Sequence, residues 1–145
     1  DLFLSEKNPS WLFSVDRGAT TIWEHWDGIK EDGSFWNDCK NSFNHYSYGC
    51  VFDWVYAWVL GIRPMEDAPA YQRFTLAPHP DERLGHAEGS IKTRYGTISV
   101  SWRYENGRIN YSFTIPEGSS AEVVIPGEEK RMYSPGSYTI AGKCL

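Results

Sequence analysis

Two runs of alternating side chains, joined by Asn106-Gly107, constrain the fold of the second half of the chain more than any other feature. Alternation with a period of two predicts strands that bury one face, and Asn-Gly strongly favours a two-residue hairpin. The sequence therefore predicts a hairpin over residues 98–115 with one apolar, buried face. In the register that this turn sets, the facing pairs are Tyr104 with Ile109, Trp102 with Tyr111, Val100 with Phe113 and Ile98 with Ile115.

Further short runs of strand-forming residues surround this hairpin and are separated by Pro and Gly turns. Many short strands with regular turn signals are typical of an antiparallel β-sandwich. The additional strands are predicted at residues 72–76, 86–95, 121–125 and 137–140.

The first half of the chain has a different character, and the two halves divide at the sequence Gly61-Ile62-Arg63-Pro64. Residues 1–60 hold six of the seven Trp, and they carry nine acidic against four basic side chains, so the net charge of -5 lies entirely there. An acidic, Trp-rich segment suits a neutral polyhydroxylated ligand or a cation. It argues against nucleic acid as a partner, because phosphate-backbone binding needs a basic surface.

Helices and one long loop are predicted for this first half. The sequence predicts a helix from Pro9-Ser10 to Asp16, a loop over residues 28–44, and a helix over residues 46–60. The last helix is apolar on both sides, so other parts of the protein must bury it on all sides. Residues 1–60 do not supply enough surface for that, so we expect the chain to be a fragment. Asp53 and the short length of the segment argue against a membrane span.

No cofactor or metal site is predicted, because the four His are scattered and lie in no HExxH motif or Cys/His ladder. There is also no GxSxG nucleophile motif and no phosphate-binding glycine loop. An odd number of cysteines (Cys39, Cys50 and Cys144) indicates reduced thiols. The sequence slightly favours a cytoplasmic location and leaves a secreted or periplasmic one open.

One candidate for chemistry is Glu24, which lies between Trp23 and Trp26. Apolar walls raise the pKa of a carboxyl group and flat rings offer stacking surface for a sugar. The alternative is a glutamate at the edge of a loop beside two core tryptophans. A second candidate is His45 near the start of the long helix, where the alternative is a packing residue behind Asn44 as N-cap.

Several long strings of this sequence resemble bacterial α-L-rhamnosidases. They are GATTIWEHWDG, DGSFW, SFNHYSYGCVFDWVY, GIRP, FTLAPHP and KTRYGTISVSW. The resemblance implies an (α/α)6 catalytic barrel and hydrolysis with inversion. It assigns the general base to Glu24 and a contact with the sugar in the −1 site to His45. Trp23 and Trp26, on either side of this glutamate, are then either substrate-binding walls of the cleft or core residues of the barrel, and the sequence leaves both open. The general acid of the family lies in an upstream Asp-Glu motif that no residue here matches.

The expected fold class is therefore α+β, with residues 1–63 as the last helices and loop of the barrel and residues 64–145 as a C-terminal antiparallel β-sandwich. The expected partners are a rhamnosylated glycan or glycoside and the remainder of the barrel, and we expect oligomerisation through the exposed apolar helix face. The isolated chain should be inactive without the acid. The competing hypothesis is a non-catalytic carbohydrate-binding or structural module.

Overall fold

A computed structural model describes residues 1–143, so the prediction for Cys144 lies outside the described residues. The fold consists of two compact units, residues 1–52 and residues 53–143. The first contains short helices and a long loop, and the second contains all eight described strands.

The predicted first helix is confirmed as α1, Trp11–Asp16, after a 3-10 turn at Leu2–Leu4. Ser10 is buried, and its hydroxyl oxygen accepts a hydrogen bond from the backbone N–H of Phe13 at 3.0 Å. This N-cap satisfies one of the free donors at the helix start. The helix ends at Arg17-Gly18, where Gly18 adopts a positive φ of 80°.

The predicted long loop is also confirmed, and it opens with a tight turn. Ile29 and Phe35 form an isolated antiparallel bridge, and the Trp36 N–H donates to the Gly28 carbonyl at 3.1 Å. Inside the turn, the Asp32 carboxylate accepts hydrogen bonds from the Ser34 hydroxyl and N–H, which lower the pKa of Asp32. These hydrogen bonds shape the turn that carries Phe35 and Trp36.

The predicted helix over residues 46–60 is helical but is not one α-helix. It consists of a 3-10 turn at Ser47–Cys50, α2 at Val51–Trp54 and a π-helical turn at Val55–Val59. The Leu60 N–H reaches back five residues to the Val55 carbonyl at 2.9 Å. β-Branched and aromatic side chains follow one another here and crowd a regular α-helix.

Two four-stranded sheets make up the second unit, which confirms the β-sandwich. The orders are β1-β2-β6-β7 and β3-β4-β5-β8. The strands are β1 (Ile62–Pro64), β2 (Arg73–Leu76), β3 (His86–Thr93), β4 (Gly96–Glu105), β5 (Arg108–Ile115), β6 (Ser120–Val123), β7 (Arg131–Tyr133) and β8 (Gly136–Lys143), with a 3-10 turn at Pro69–Tyr71.

One strand pair departs from the antiparallel expectation, because β2 and β6 are parallel. The chain leaves β2, builds β3, β4 and β5 of the other sheet, and then returns beside β2 in the same direction. Strand direction depends on this long crossover, which no local pattern reveals. The short strands β1 and β7 were likewise not predicted.

The hairpin prediction is confirmed in its turn and in its register. Asn106 and Gly107 both have positive φ, 51° and 73°, as a type I′ turn requires. The observed partners include Tyr104 with Ile109, Trp102 with Tyr111 and Val100 with Phe113. Except for half-buried Tyr104, these side chains lie in the core, as do Ile98 and Ile115.

Two tryptophans of the helical segment are exposed to solvent, as the sequence predicts for an apolar helix that this chain does not fully bury. Trp54 and Trp58 are each 45% exposed. By contrast, Trp102 is 1% exposed, and its indole N–H donates to the Val59 carbonyl at 2.8 Å. In the described part of the chain, no helix is long and apolar enough to cross a membrane.

Candidate active site

The segments that carry Glu24 and His45 lie side by side in the first unit. The Glu24 N–H donates to the Ser42 carbonyl at 2.9 Å, and the His45 N–H donates to the Ile22 carbonyl at 2.7 Å. The Thr21 hydroxyl adds a third bond by donating to the Phe43 carbonyl. These three bonds bring together two motifs that are about twenty residues apart in sequence.

Aromatic side chains pack around the segment that carries Glu24. Glu24 is half-buried in a bend, and Trp23 beside it is buried with its ring edge-on to Phe43, at 5.2 Å between centroids. A Cβ at Gly28 would lie 3.0 Å from the Phe43 ring and 3.2 Å from the Trp23 ring, so only glycine fits there without displacement. Trp23 is thus a core residue of this unit.

Trp26 packs the other end of the Glu24 segment against α1. Its ring stacks on Tyr48 at 3.8 Å and meets Trp11 edge-on at 4.7 Å. The Trp11 indole N–H donates to the Tyr48 carbonyl at 2.9 Å, and the Ser14 hydroxyl donates to the Trp26 carbonyl at 3.2 Å. These contacts connect the segment that follows Glu24 to α1 and to Tyr48.

His45 is half-buried, and its ring is oriented by its neighbours. Nδ1 accepts a hydrogen bond from the Ser47 N–H at 3.3 Å, and the ring stacks on exposed Tyr46 at 4.9 Å. A neutral imidazole that accepts at Nδ1 carries its proton on Nε2 and can donate there. The 3-10 turn begins at Ser47 with Tyr46 as its cap residue, so the alternative of Asn44 as N-cap is wrong.

Sequence reasoning missed a stacked pair of rings that begins at His25, next to Glu24 in the sequence. The rings of His25 and Trp36 are parallel within 14° and 3.7 Å apart. Trp36 and Phe35 are both exposed, in the turn with which the loop opens. His25 and Trp36 are eleven positions apart, so no local pattern predicts their stacking. The DGSFW string of the resemblance was the only sequence signal that pointed to Trp36.

An aromatic cavity of about 310 Å³ lies on the same unit. The described residues that line it include Trp11, Trp23, Trp26, Tyr48 and Phe52, whereas Glu24 and His45 are not among them. Residues 1–143 contain no group of three or more His, Cys, Asp or Glu that could hold a metal ion.

Comparison with known proteins identifies the family. Residues 1–59 match the model of the bacterial alpha-L-rhamnosidase 6 hairpin glycosidase domain, and residues 61–139 match that of the bacterial alpha-L-rhamnosidase C-terminal domain. The chain belongs to the bacterial α-L-rhamnosidase family. The expected fold class, a helical piece of the six-hairpin domain followed by a β-sandwich, is confirmed.

Individual α-L-rhamnosidases are similar over most of this chain. Those of Alteromonas sp. and Streptomyces avermitilis are 39% and 37% identical over 87% and 83% of it. Among solved structures, the Streptomyces avermitilis enzyme complexed with L-rhamnose has a TM-score of 0.86 over 98% of the chain, at 30% identity. The Aspergillus terreus enzyme has a TM-score of 0.90 over 99%, also at 30% identity.

The chain spans only a small part of these rhamnosidases. It covers 14% and 12% of the two curated relatives, and 16% and 17% of the two solved chains. The two family models meet between residues 59 and 61, whereas the compact units meet between residues 52 and 53. The domain limits of 1–63 and 64–145 stay a prediction.

Proposed function

We propose that the protein containing this chain hydrolyses terminal α-L-rhamnosyl residues of glycosides or polysaccharides with inversion, and that Glu24 is the general base. The observation that carries the proposal is the backbone pairing of residues 22–24 with residues 42–45. This pairing brings together the two motifs that resemble rhamnosidases, one with the carboxylate of Glu24 and the other with the imidazole of His45. The match of residues 1–59 to a glycosidase domain favours this function over a non-catalytic module.

An inverting glycosidase needs a carboxylate that activates water and an acid on the opposite face of the sugar ring. The two carboxyl groups must be roughly 6.5–9.5 Å apart to leave room for that water. In this scheme Glu24 takes the proton of the attacking water. The acid comes from the upstream Asp-Glu motif of the family, which no residue of this chain matches, so the chain alone should not turn over substrate.

The surrounding residues would position the sugar and the base. His45, with its proton on Nε2, would donate a hydrogen bond to a sugar hydroxyl. Trp23 and Trp26 hold the segment that carries Glu24 through their ring contacts with Phe43 and Tyr48. Their direct contact with substrate stays a prediction. The acidic character of the first unit agrees with a neutral sugar as ligand.

The proposed roles of His45 in sugar binding and of Glu24 in catalysis can be tested in the full-length protein. His45→Ala should raise KM for a rhamnoside, because it removes a contact with the bound sugar. Glu24→Gln should bind L-rhamnose with near-normal affinity in a calorimetric titration, because the amide is nearly isosteric. A His45→Ala variant with unchanged KM, or a Glu24→Gln variant that no longer binds L-rhamnose, would contradict the assigned roles.

A further inference from the structure

The imidazole of His25, the residue directly after Glu24, stacks on the indole ring of Trp36. The two ring centres are 3.7 Å apart, and the ring planes are within 14° of parallel. Contacts between flat rings add attraction beyond the burial of their area. Both residues belong to the first compact unit, and the proposed hydrolytic scheme gives neither ring a role.

Trp36 reaches His25 because the start of the long loop folds back on itself. Ile29 and Phe35 form the antiparallel bridge, and the Trp36 N–H donates to the Gly28 carbonyl at 3.1 Å. Trp36 therefore lies opposite Gly28, three residues after His25 in the sequence. The backbone of the turn thus brings the indole ring to the segment that carries the proposed general base.

The carboxylate of Glu24 has no hydrogen bond or ion pair of its own within residues 1–143. Its position therefore depends on its backbone and on the packing of its neighbours. Before the side chain, the Glu24 N–H donates to the Ser42 carbonyl at 2.9 Å. After it, the backbone continues into His25, whose imidazole also makes no hydrogen bond in this part of the chain. The stack on Trp36 is thus the ring contact that orients the residue next to Glu24.

The placement of a general base has a large effect on the rate. The carboxylate acts only where one of its oxygens lies within hydrogen-bonding distance of the attacking water. A misplacement of about 1 Å, caused by a change away from the reacting atoms, can cost about 100-fold in rate. Loss of the indole ring would leave the His25 imidazole without its stacking partner, and the adjoining backbone of Glu24 would be less well oriented.

We propose that Trp36 is a positioning residue for the hydrolytic reaction, which acts through the ring of His25 on the carboxylate of Glu24. This inference rests on the proposed function of Glu24 as general base. In this scheme Trp36 touches neither the sugar nor the attacking water, so its contribution falls on kcat and not on sugar binding. The stack requires a flat ring at this position and does not require the indole N–H.

Steady-state kinetics of the full-length protein on a rhamnoside provide the first test. Trp36→Ala should lower kcat about 10–100-fold and change KM less than about threefold. Trp36→Phe should recover most of that loss, because a phenyl ring can still stack on the imidazole. The matched control is Phe35→Ala, since Phe35 is the aromatic neighbour in the same turn and its ring meets Phe43 at 5.8 Å instead of His25. Its kcat should stay within about twofold of that of the unchanged protein.

A double-mutant cycle separates positioning of the base from a structural role. In a Glu24→Gln background there is no base left to position. Adding Trp36→Ala to that background should therefore lower kcat by less than about threefold more. A ring that only supported the fold, or that bound the sugar, would cost the same factor in both backgrounds, because independent effects add in free energy.

Three results would overturn the proposal. They are a near-normal kcat in Trp36→Ala, equal losses in Trp36→Ala and Phe35→Ala, and an equal factor with and without the carboxylate of Glu24. Circular dichroism confirms that each variant is folded. If Trp36→Ala is not folded, His25→Ala replaces it in both experiments, because it removes the other ring of the stack.

Failure of this inference can be distinguished from failure of the proposed function. The three results above leave the loss of kcat in the single variant Glu24→Gln intact, so the role of the general base would stand. A near-normal kcat in Glu24→Gln alone would refute that role, and the positioning role of Trp36 with it.

Discussion

Gly61, which joins the helical segment to β1, should be one of the least replaceable residues of the sandwich. Its φ is +73°, and a Cβ built there would lie 2.1 Å from the carbonyl carbon of Ala77 and 2.3 Å from its oxygen. The left-handed backbone alone costs an L-residue about 1–2 kcal/mol. The clash adds about 1–3 kcal/mol or more, because backbone atoms rather than a flexible side chain must move. Gly61→Ala should therefore lower the free energy of unfolding by roughly 2–5 kcal/mol.

Gly107 provides a matched control for this substitution. It has the same φ of +73°, but a Cβ there would have nothing within 4 Å. Gly107→Ala should therefore cost only the backbone term of about 1–2 kcal/mol. For a unit of this size, 1 kcal/mol corresponds to roughly 4–8 °C in Tm. Thermal unfolding followed by circular dichroism should show a larger drop in Tm for Gly61→Ala than for Gly107→Ala, by at least the roughly 4–8 °C that corresponds to about 1 kcal/mol of clash. Equal drops would refute the argument from close contact.

Three further changes test the packing, an exposed ion pair and a helix cap. Trp102→Phe should destabilise the sandwich by about 2–4 kcal/mol in urea unfolding, because it leaves the buried Val59 carbonyl unpaired and removes core volume. The hydrogen bonds and charge of Arg83 lower the pKa of Asp81 to about 2, so an NMR titration should find its midpoint there and a higher one in Arg83→Gln. Since the folded pKa lies below the ordinary value of 3.8, any stability from this pair is present above pH 3.8 and is lost as the pH falls through 2. Ser10→Ala should cost about 1–2 kcal/mol through the lost N-cap, and a cost near zero would mean that water replaces the bond.

The parts of the fold that local chemistry determines were predictable from the sequence. Asn106-Gly107 and the alternating strands around it specify their own register, because a slip of one residue would expose the buried face. Ser10 likewise marks the start of α1, because its hydroxyl can cap only the N–H groups that follow it. In these cases the deciding contacts are formed between residues close in sequence.

The features that depend on distant contacts were not predictable. The parallel pairing of β2 with β6 follows from a crossover through the other sheet, and β7 is too short to leave a periodic pattern. The stack of His25 on Trp36 depends on how the loop turns back. For the site itself, the resemblance named Glu24 and His45, but only the structure shows the backbone bonds that join their segments.

The turnover number of Glu24→Gln in the full-length protein, measured on a rhamnoside with and without azide, tests the central claim most directly. The amide fills the same space but cannot take a proton from the attacking water, so kcat should fall by roughly 10²–10⁴-fold. Azide needs no deprotonation and should restore part of the turnover, giving a product of inverted configuration. A Glu24→Gln protein with near-normal kcat would contradict the account, because this carboxylate would then be structural.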